Sequence, residues 1–593
     1  MPPNEDGTLA RTMSNHSPED SASRSINVRR SPSHELHSRR STFKLPVFLI
    51  TICLILAVFL VALDTTILAT AIPKITDDFN SLTDVGWYAG VYALTSAIFQ
   101  LLYGNFFKIF SAKWTFVSAS IVFEIGSILC AAAPSSPVLI LGRAFAGVGS
   151  AGIFAGAFII VSHTVPLRWR PIYNSIFGAL YGIASVVGPV IGGLLTDKIT
   201  WRWCFWINVP IGVVTVIVVS FVFEPPSGLG PDRQPHPHSD HRSPATVLQE
   251  LNVLSTILLI SSTIPLLLAL QWGGMEYSWS NSRVITLFIV AGASTVLFIL
   301  LQIRQGEKAF LPIQLIKQRT LLACCWFTFT AGSSVAIVIY YLPIWFQAVL
   351  GVSALQSGFL NLPFVISLVC GSLVSGVITS TTGNYVQLLI LSSVVRAIGT
   401  GLLTTLKPSS QRWQYVFYQI IFGLGDGCGM QQPLIAVQNA IDSHDVAMAI
   451  SVLIFCQTLG SSVFIVVGQS ILTNRLTSLL DGILPSGPIT TRVLLESGAT
   501  SFRALGLDQE VLSRVVSAYS GAVTDTFYVA VALSCASLVG ACTVEWKKIK
   551  IHSDDEPIPP VNTATLGTST ATNTEDRELS VLGPQRRISA IPG

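Results

Sequence analysis

The sequence predicts an all-α polytopic membrane protein. Half of its 593 residues are hydrophobic and only 11% are charged, against about 25% in an ordinary soluble chain. Mean hydropathy is +0.61. Apolar runs of about 20 residues recur along the chain, the length that carries a helix across a ~30 Å hydrocarbon core.

Residues 1–44, rich in Ser, Arg and His, read as a disordered cytosolic tail. This tail is too long and polar for a signal-peptide leader, so the first span is expected to act as the targeting signal. Fourteen spans are expected near 45–73, 85–106, 114–133, 138–163, 172–195, 202–223, 250–271, 284–303, 321–347, 355–379, 386–406, 414–440, 446–472 and 521–545. They divide into a six-helix bundle at 45–223, two additional central helices with a loop at 250–320, and a second six-helix bundle at 321–545. The Pro/His/Gly-rich stretch 224–249 is a cytosolic linker, and 546–593 is a second cytosolic tail. Within the last bundle, 473–520 reads as an extracytosolic loop. Its end, "LDQEVLSRVVSAY", puts Val511, Leu512, Val515, Val516 and Tyr519 on one helical face. Two outcomes fit that pattern: a helix lying on the membrane surface, or a loop helix packed on the spans.

An even number of spans puts both tails on one side, and Lys and Arg bias that side to the cytosol. Arg29, Arg30, Arg39, Arg40 and Lys44 precede span one; Lys108, Lys113, Arg168, Arg170, Arg304, Lys308, Lys317, Arg319, Lys547, Lys548 and Lys550 fall in loops on the same side. The bias is carried by the first half, because the loops between spans ten and eleven and between spans twelve and thirteen lack Lys and Arg. "RRSP", "RRST" and "RRIS" in the tails look like basophilic kinase sites. The net charge of +3 gives no reason to expect nucleic acid. Ten cysteines lie in apolar runs with no CxxC or Cys/His spacing, so neither a disulfide framework nor a metal site is expected.

A weak internal echo joins the two bundles. Gly104 precedes Ser111 by seven residues between spans two and three, and Gly376 precedes Gly383 by seven between spans ten and eleven. "AGVGSAG" in span four likewise faces "GLGDGCG" in span twelve. Transporters are often built from such repeats.

Five ionisable residues lie well inside the spans: Asp64, Glu124, Arg143, Arg396 and Asp426. A charge at that depth costs roughly 2.5–3.5 kcal/mol on insertion scales, so each is a functional candidate. Asp64 is placed nearer the outer face, ~27 Å along a helix from Pro46. Glu124 is central. Arg143 is expected to hold a charge network at the cytosolic end of span four. Asp426, between glycines, could face a cavity, and Arg396 has no evident partner. A carboxylate switched between apolar surroundings and the neighbourhood of an arginine can load and release a proton. Asp64, Glu124, Arg143 and Asp426 are therefore the candidates for proton coupling and the substrate pathway. No GxxxxGK[ST], HExxH or GxSxG is present, so no catalytic residues are expected.

These motifs resemble the major facilitator superfamily, and within it the fungal fourteen-span drug–proton antiporters that export toxins and other secondary metabolites. "LDTTILATAIPKITDDF" is similar to that family's first span, and "LGRAFAGVGSAG" resembles its fourth-span motif with Arg143 at the arginine. "GPVIGG", with Gly188, Pro189, Gly192 and Gly193, resembles its fifth-span antiporter motif. "WRWCFWINVPIG", "YYLPIWFQAVLGVSALQSG" and "GMQQPLIAVQNAI" extend the likeness over about 45–545. The loop after span two departs from the superfamily pattern G-x-L-x-D-R-x-G-R-K: "GNFFKIFSAK" keeps Gly104 but has Lys108 at the acidic position, and only Lys113 stays basic. The resemblance implies a major facilitator fold and proton-coupled efflux of amphipathic small molecules. It implies no cofactor beyond the proton gradient, a monomer in the lipid bilayer, and a plasma-membrane location with a vacuolar or vesicle membrane as alternative. Uptake of an iron chelate or nutrient, and a non-transporting sensor on the same fold, are the competing readings. Pro189 should bend span five, and the adjacent glycines should face another helix and seal the contact between the bundles.

Overall fold

The computed structural model describes residues 44–79, 84–223, 252–273, 277–306, 309–311, 313–442, 445–481, 503 and 508–549. The linker, residues 1–43 and 550–593 with their arginine–serine motifs, and most of 482–507 lie outside these residues. The described residues form eighteen helical segments. The first six expected spans are α1 (Lys44–Phe79), α2 (Val85–Ile109), α3 (Ala112–Ala131), α4 (Ser136–Thr164), α5 (Arg170–Lys198), and α6 (Trp203–Trp206) continued by α7 (Asn208–Val222). The central pair is α8 (Val253–Trp272) and α9 (Ser282–Gln305), followed by the short α10 (Ile313–Ile316). The last six are α11 (Arg319–Leu350), α12 and α13 (Ala354–Leu360, Leu362–Thr382), α14 (Val386–Leu403), α15 and α16 (Arg412–Gly429, Gln432–Ala440), α17 (Val446–Leu480) and α18 (Gln509–Thr543). A helix stands at every expected span. Gly351 and Gly383 end α11 and α13 in the left-handed region, where a side chain would be strained.

Among the described residues, twelve helices are long and apolar enough to cross a membrane. The helices at expected spans two and twelve, α2 and α15–α16, are not among them; both carry buried polar side chains, Gln100 and Asn105 in one and Gln419, Asp426, Gln432 and Gln438 in the other. The set is compatible with fourteen spans.

Two elements differ from expectation. The amphipathic segment 509–519 is neither a surface helix nor a separate loop helix but the first turns of α18, continuous to Thr543. Its apolar face stays in protein: Val515 and Tyr519 are buried, and Val511, Leu512 and Val516 pack on the same core. No proline separates the two parts. Similarly, α17 runs eight residues past the expected boundary at 472.

In the first group α1 packs on α4, α5 and α7, and α3 on α4 and α7. In the last group α11 packs on α17 and α18, α13 on α15, and α14 on α15 and α18. The groups meet through α2 on α17 and α5 on α13. The central hairpin attaches through α8, which touches both α2 and α17, while most of α9 is exposed. At its base Asn252 and Gln305 exchange two amide hydrogen bonds (2.8 and 2.7 Å), and the Gln302 amide donates to Ser255 Oγ (3.0 Å).

The glycine echo has a physical counterpart. Gly104 lies against Ser451 and Gly376 against Ser175, one contact on each side of the junction between the groups. Within the groups the pattern repeats: Gly147 sits on Tyr92 and Thr95 as Gly423 sits on Phe364 and Ser367; Gly149 rests on Phe123 as Gly425 rests on Arg396. Corresponding helices approach at corresponding points, which is what an internal repeat demands.

Candidate functional site

The charged residues of the first group assemble at one end of the bundle. Arg143 Nη1 meets Asp64 Oδ2 at 2.6 Å, and its Nε donates to the Tyr88 carbonyl at 2.9 Å. Both side chains are essentially fully buried. The guanidinium lies over the Tyr92 ring, 4.3 Å from its centroid, a cation–π contact. Asn208, the first residue of α7, donates to Asp64 Oδ1 and to Ser127 Oγ, both at 3.2 Å. The Tyr88 hydroxyl extends the network to Ser136 (2.9 Å). Asp64 is thus tied into a network of five helices, α1, α2, α3, α4 and α7, and does not snorkel.

This network corrects the position of Arg143. It lies seven residues into α4, beside the start of α2 at Tyr88, whereas Lys108 is at the other end of α2. Twenty residues at 1.5 Å each separate those levels by ~30 Å. Arg143 therefore sits at the end opposite to Lys108 and to the start of α1, not at the tail side.

Glu124 stands one helical turn from Ser127 on α3 and is 7% exposed. Its Oε2 has no hydrogen-bond partner. Its other oxygen rests on Gly212, one turn from Asn208 on α7, where a side chain would have no room. The cluster therefore holds two carboxylates and a single guanidinium, and Asp64 takes the guanidinium.

In the last group Arg396 finds the partner that its sequence context hides: Nη1 is 3.2 Å from Asp426 Oδ1, and Nη2 donates to Ser537 Oγ at 2.8 Å. The ring of Phe327 lies beneath it. Asp426 is 5% exposed and packed in this pair, so its flanking glycines serve helix packing rather than a cavity. Here one carboxylate meets one guanidinium.

At the tail-side end the two groups are latched. Lys108 Nζ meets Asp445 Oδ1 at 2.9 Å, joining the end of α2 to the start of α17. At the related point across the junction, Ser380 Oγ donates to the Arg168 carbonyl at 2.8 Å, and Ser372 Oγ to that of Ser175 at 3.1 Å. Sequence reasoning missed Asp445, since nothing local marks it; only the unusual lysine at 108 hinted at an acidic partner. Lys113 takes no part in this latch and instead lies over the Trp114 ring.

The "GPVIGG" seam also differs from expectation. Gly188 packs on Thr66, Gly192 on Thr70 and the Ile67 carbonyl, while a side chain at Gly193 would meet nothing within 4 Å. The Thr66 hydroxyl donates to the Ala184 carbonyl of α5 (2.9 Å). The seam closes α5 onto α1, inside the first group, rather than onto the other bundle. Pro189 lies inside α5, which continues through it.

The family model of the Major Facilitator Superfamily matches residues 54–465. The chain is 43% identical to the efflux pump roqT of Penicillium rubens, covering 86% of this chain and 92% of that one. It is 42% identical to the efflux pump aflT of Aspergillus parasiticus (87% and 98% covered), and 44% identical to the MFS-type efflux pump MFS1 of Trichophyton rubrum (88% and 95%). Among solved structures it shares its fold with a double-tryptophan mutant of XylE (TM-score 0.53, 11% identity, 85% and 96% covered) and the human organic anion transporter MFSD10 (TM-score 0.51, 13% identity, 82% and 100% covered). The chain belongs to the major facilitator superfamily and is a multi-pass membrane transporter, not an enzyme.

Proposed function

We propose that the protein is a proton-coupled exporter of amphipathic small molecules, acting as a monomer in the plasma membrane with both tails cytosolic. Its similarity to efflux pumps supports export as the direction of transport. The boundaries 45–223, 250–320 and 321–545 serve as its moving bundle, central hairpin and second bundle. With cytosolic tails, the latch of Lys108, Ser372 and Ser380 holds the cytosolic end shut, so this arrangement is a state that has closed behind its substrate.

The observation that carries the coupling is the charge imbalance of the first cluster. Asp64 and Arg143 cancel, and Glu124 is left without a counter-charge or a hydrogen-bond donor on Oε2. A lone buried charge is expensive, so one proton on Glu124 makes the cluster neutral, and loss of that proton charges it. The Arg396–Asp426 pair is already balanced and is assigned a structural role. Substrate is expected to move through the junction of the bundles while the proton loads the five-helix cluster.

The test is transport in proteoliposomes under an imposed pH gradient. Glu124→Gln fixes the cluster neutral. It should abolish gradient-driven uphill movement of a fluorescent substrate while preserving exchange of labelled for unlabelled substrate. Uphill movement at the parent rate in the variant would refute the assignment.

A further inference from the structure

The surface on which the two bundles meet is polar but uncharged at membrane depth. Asn174 on α5 is fully buried, and neither its Oδ1 nor its Nδ2 has a hydrogen-bond partner. One turn further on the same face is Gly178, and against it lies the amide of Gln431 from the α15–α16 turn of the other bundle. Gln431 is 3% exposed with its Oε1 unpartnered. Ser372 and Ser175 complete the group, the Ser175 hydroxyl also unpartnered. Two helices from different bundles thus bring unused amide donors and acceptors to one place. By contrast, the deeply buried ion pairs among the described residues are closed within a bundle: Asp64 with Arg143, Arg396 with Asp426. Glu124 lies between α3 and α7, away from the junction. Among the described residues, the one ion pair across the junction, Lys108–Asp445, is at its rim.

We infer that the pathway recognises its cargo by neutral hydrogen bonds at Asn174 and Gln431, and that the substrate class is uncharged amphipathic molecules bearing carbonyl and hydroxyl groups. A buried amide gives a carbonyl or hydroxyl a partner, and pairs poorly with a desolvated cation, which needs a counter-charge. An organic cation passing this point would meet no carboxylate. Opening the tail-side end exposes these amides to cargo; closing it buries them. This rests on the export reading above and names its substrate class.

The experiment compares two probes in proteoliposomes under the same pH gradient: Nile red, neutral with a ring carbonyl, and tetraphenylphosphonium, a lipophilic cation. The parent protein should move Nile red at least about tenfold faster, the scale of one uncompensated polar contact. Gln431→Leu should slow Nile red about fivefold, and Gln431→Glu should raise tetraphenylphosphonium transport about tenfold. The selectivity switch cannot arise from loss of fold, and both variants are checked for an unchanged gel-filtration peak. Equal parental rates for the two probes, or a Gln431→Glu variant with unchanged selectivity, overturn the neutral pathway while leaving export intact. Absence of gradient-driven movement of either probe by folded parent protein overturns the export reading and this inference with it.

Discussion

Arg143 uses two edges of its guanidinium for two partners, Nη1 for Asp64 and Nε for the Tyr88 carbonyl. Lysine carries the charge as a point and cannot span both. Arg143→Lys should therefore impair export nearly as much as Arg143→Ala, measured as initial rate per inserted molecule; a fully active lysine variant would reduce the residue to a positive anchor. Asp64→Asn removes the partner of a buried cation. Breaking such a pair costs about 3–5 kcal/mol in soluble proteins, so Asp64→Asn should both lose uphill export and melt earlier in a thermal-shift assay. Glu124→Gln leaves the Asp64–Arg143 pair intact and should melt like the parent while losing coupling. A marked fall in its melting temperature would make Glu124 a packing residue.

At the scale of elements, α5 shows how a seam is built from missing side chains. Gly188 and Gly192 let Thr66, Ile67 and Thr70 of α1 touch its backbone, two to six residues from Asp64. A valine at 192 would collide with Thr70 and the Ile67 carbonyl, and overpacking of this kind costs about 1–3 kcal/mol in soluble cores. That is comparable with the few kcal/mol separating the conformations of a transporter. Gly192→Val should insert normally but suppress export by displacing the helix that carries Asp64. Gly193→Val, where nothing lies within 4 Å, should export at the parent rate. Equal behaviour of the two variants would show that the seam does not matter. The hairpin of α8 and α9 poses a different problem: α8 touches α2 and α17, one helix from each bundle, so its amide clasp at Asn252 and Gln305 keeps a shared neighbour in one piece.

Across the whole molecule the two bundles repeat each other's contacts, yet their chemistry diverges. At one junction point a lysine meets a carboxylate; at the related point a serine meets a backbone carbonyl. Lys108 and Asp445 are partly solvated, so their attraction is worth ~0–1 kcal/mol, enough to bias a near-balanced equilibrium. Lys108→Asp should open the tail-side end, read as increased labelling of a single cysteine placed on the junction face of α5. Asp445→Lys in the same chain should restore the parent pattern. If the double variant labels like Lys108→Asp, the pair is not a latch.

Composition and apolar run length alone determined the class and the positions of the helices, because the bilayer demands long apolar helices and punishes anything else, whereas the family was legible in the motifs of spans one, four and five. Asp64, Glu124, Arg143, Arg396 and Asp426 were legible as candidates for the same reason, since charge inside a span is conspicuous. Their pairing was not legible. Asp64 and Arg143 are 79 positions apart and Arg396 and Asp426 are 30 apart, and no local pattern states which helices are neighbours. The level of Arg143 was implicit in the topology, since Arg168 and Arg170 follow span four on the tail side and Arg143 stands near its other end, and the packing of α2 beside α4 made it explicit. The partner of Lys108 lay 337 positions away, and the glycines of α5 revealed that they face α1 only through packing. Span length is set by a solvent that every residue meets, whereas partnership is set by which helices the fold brings together.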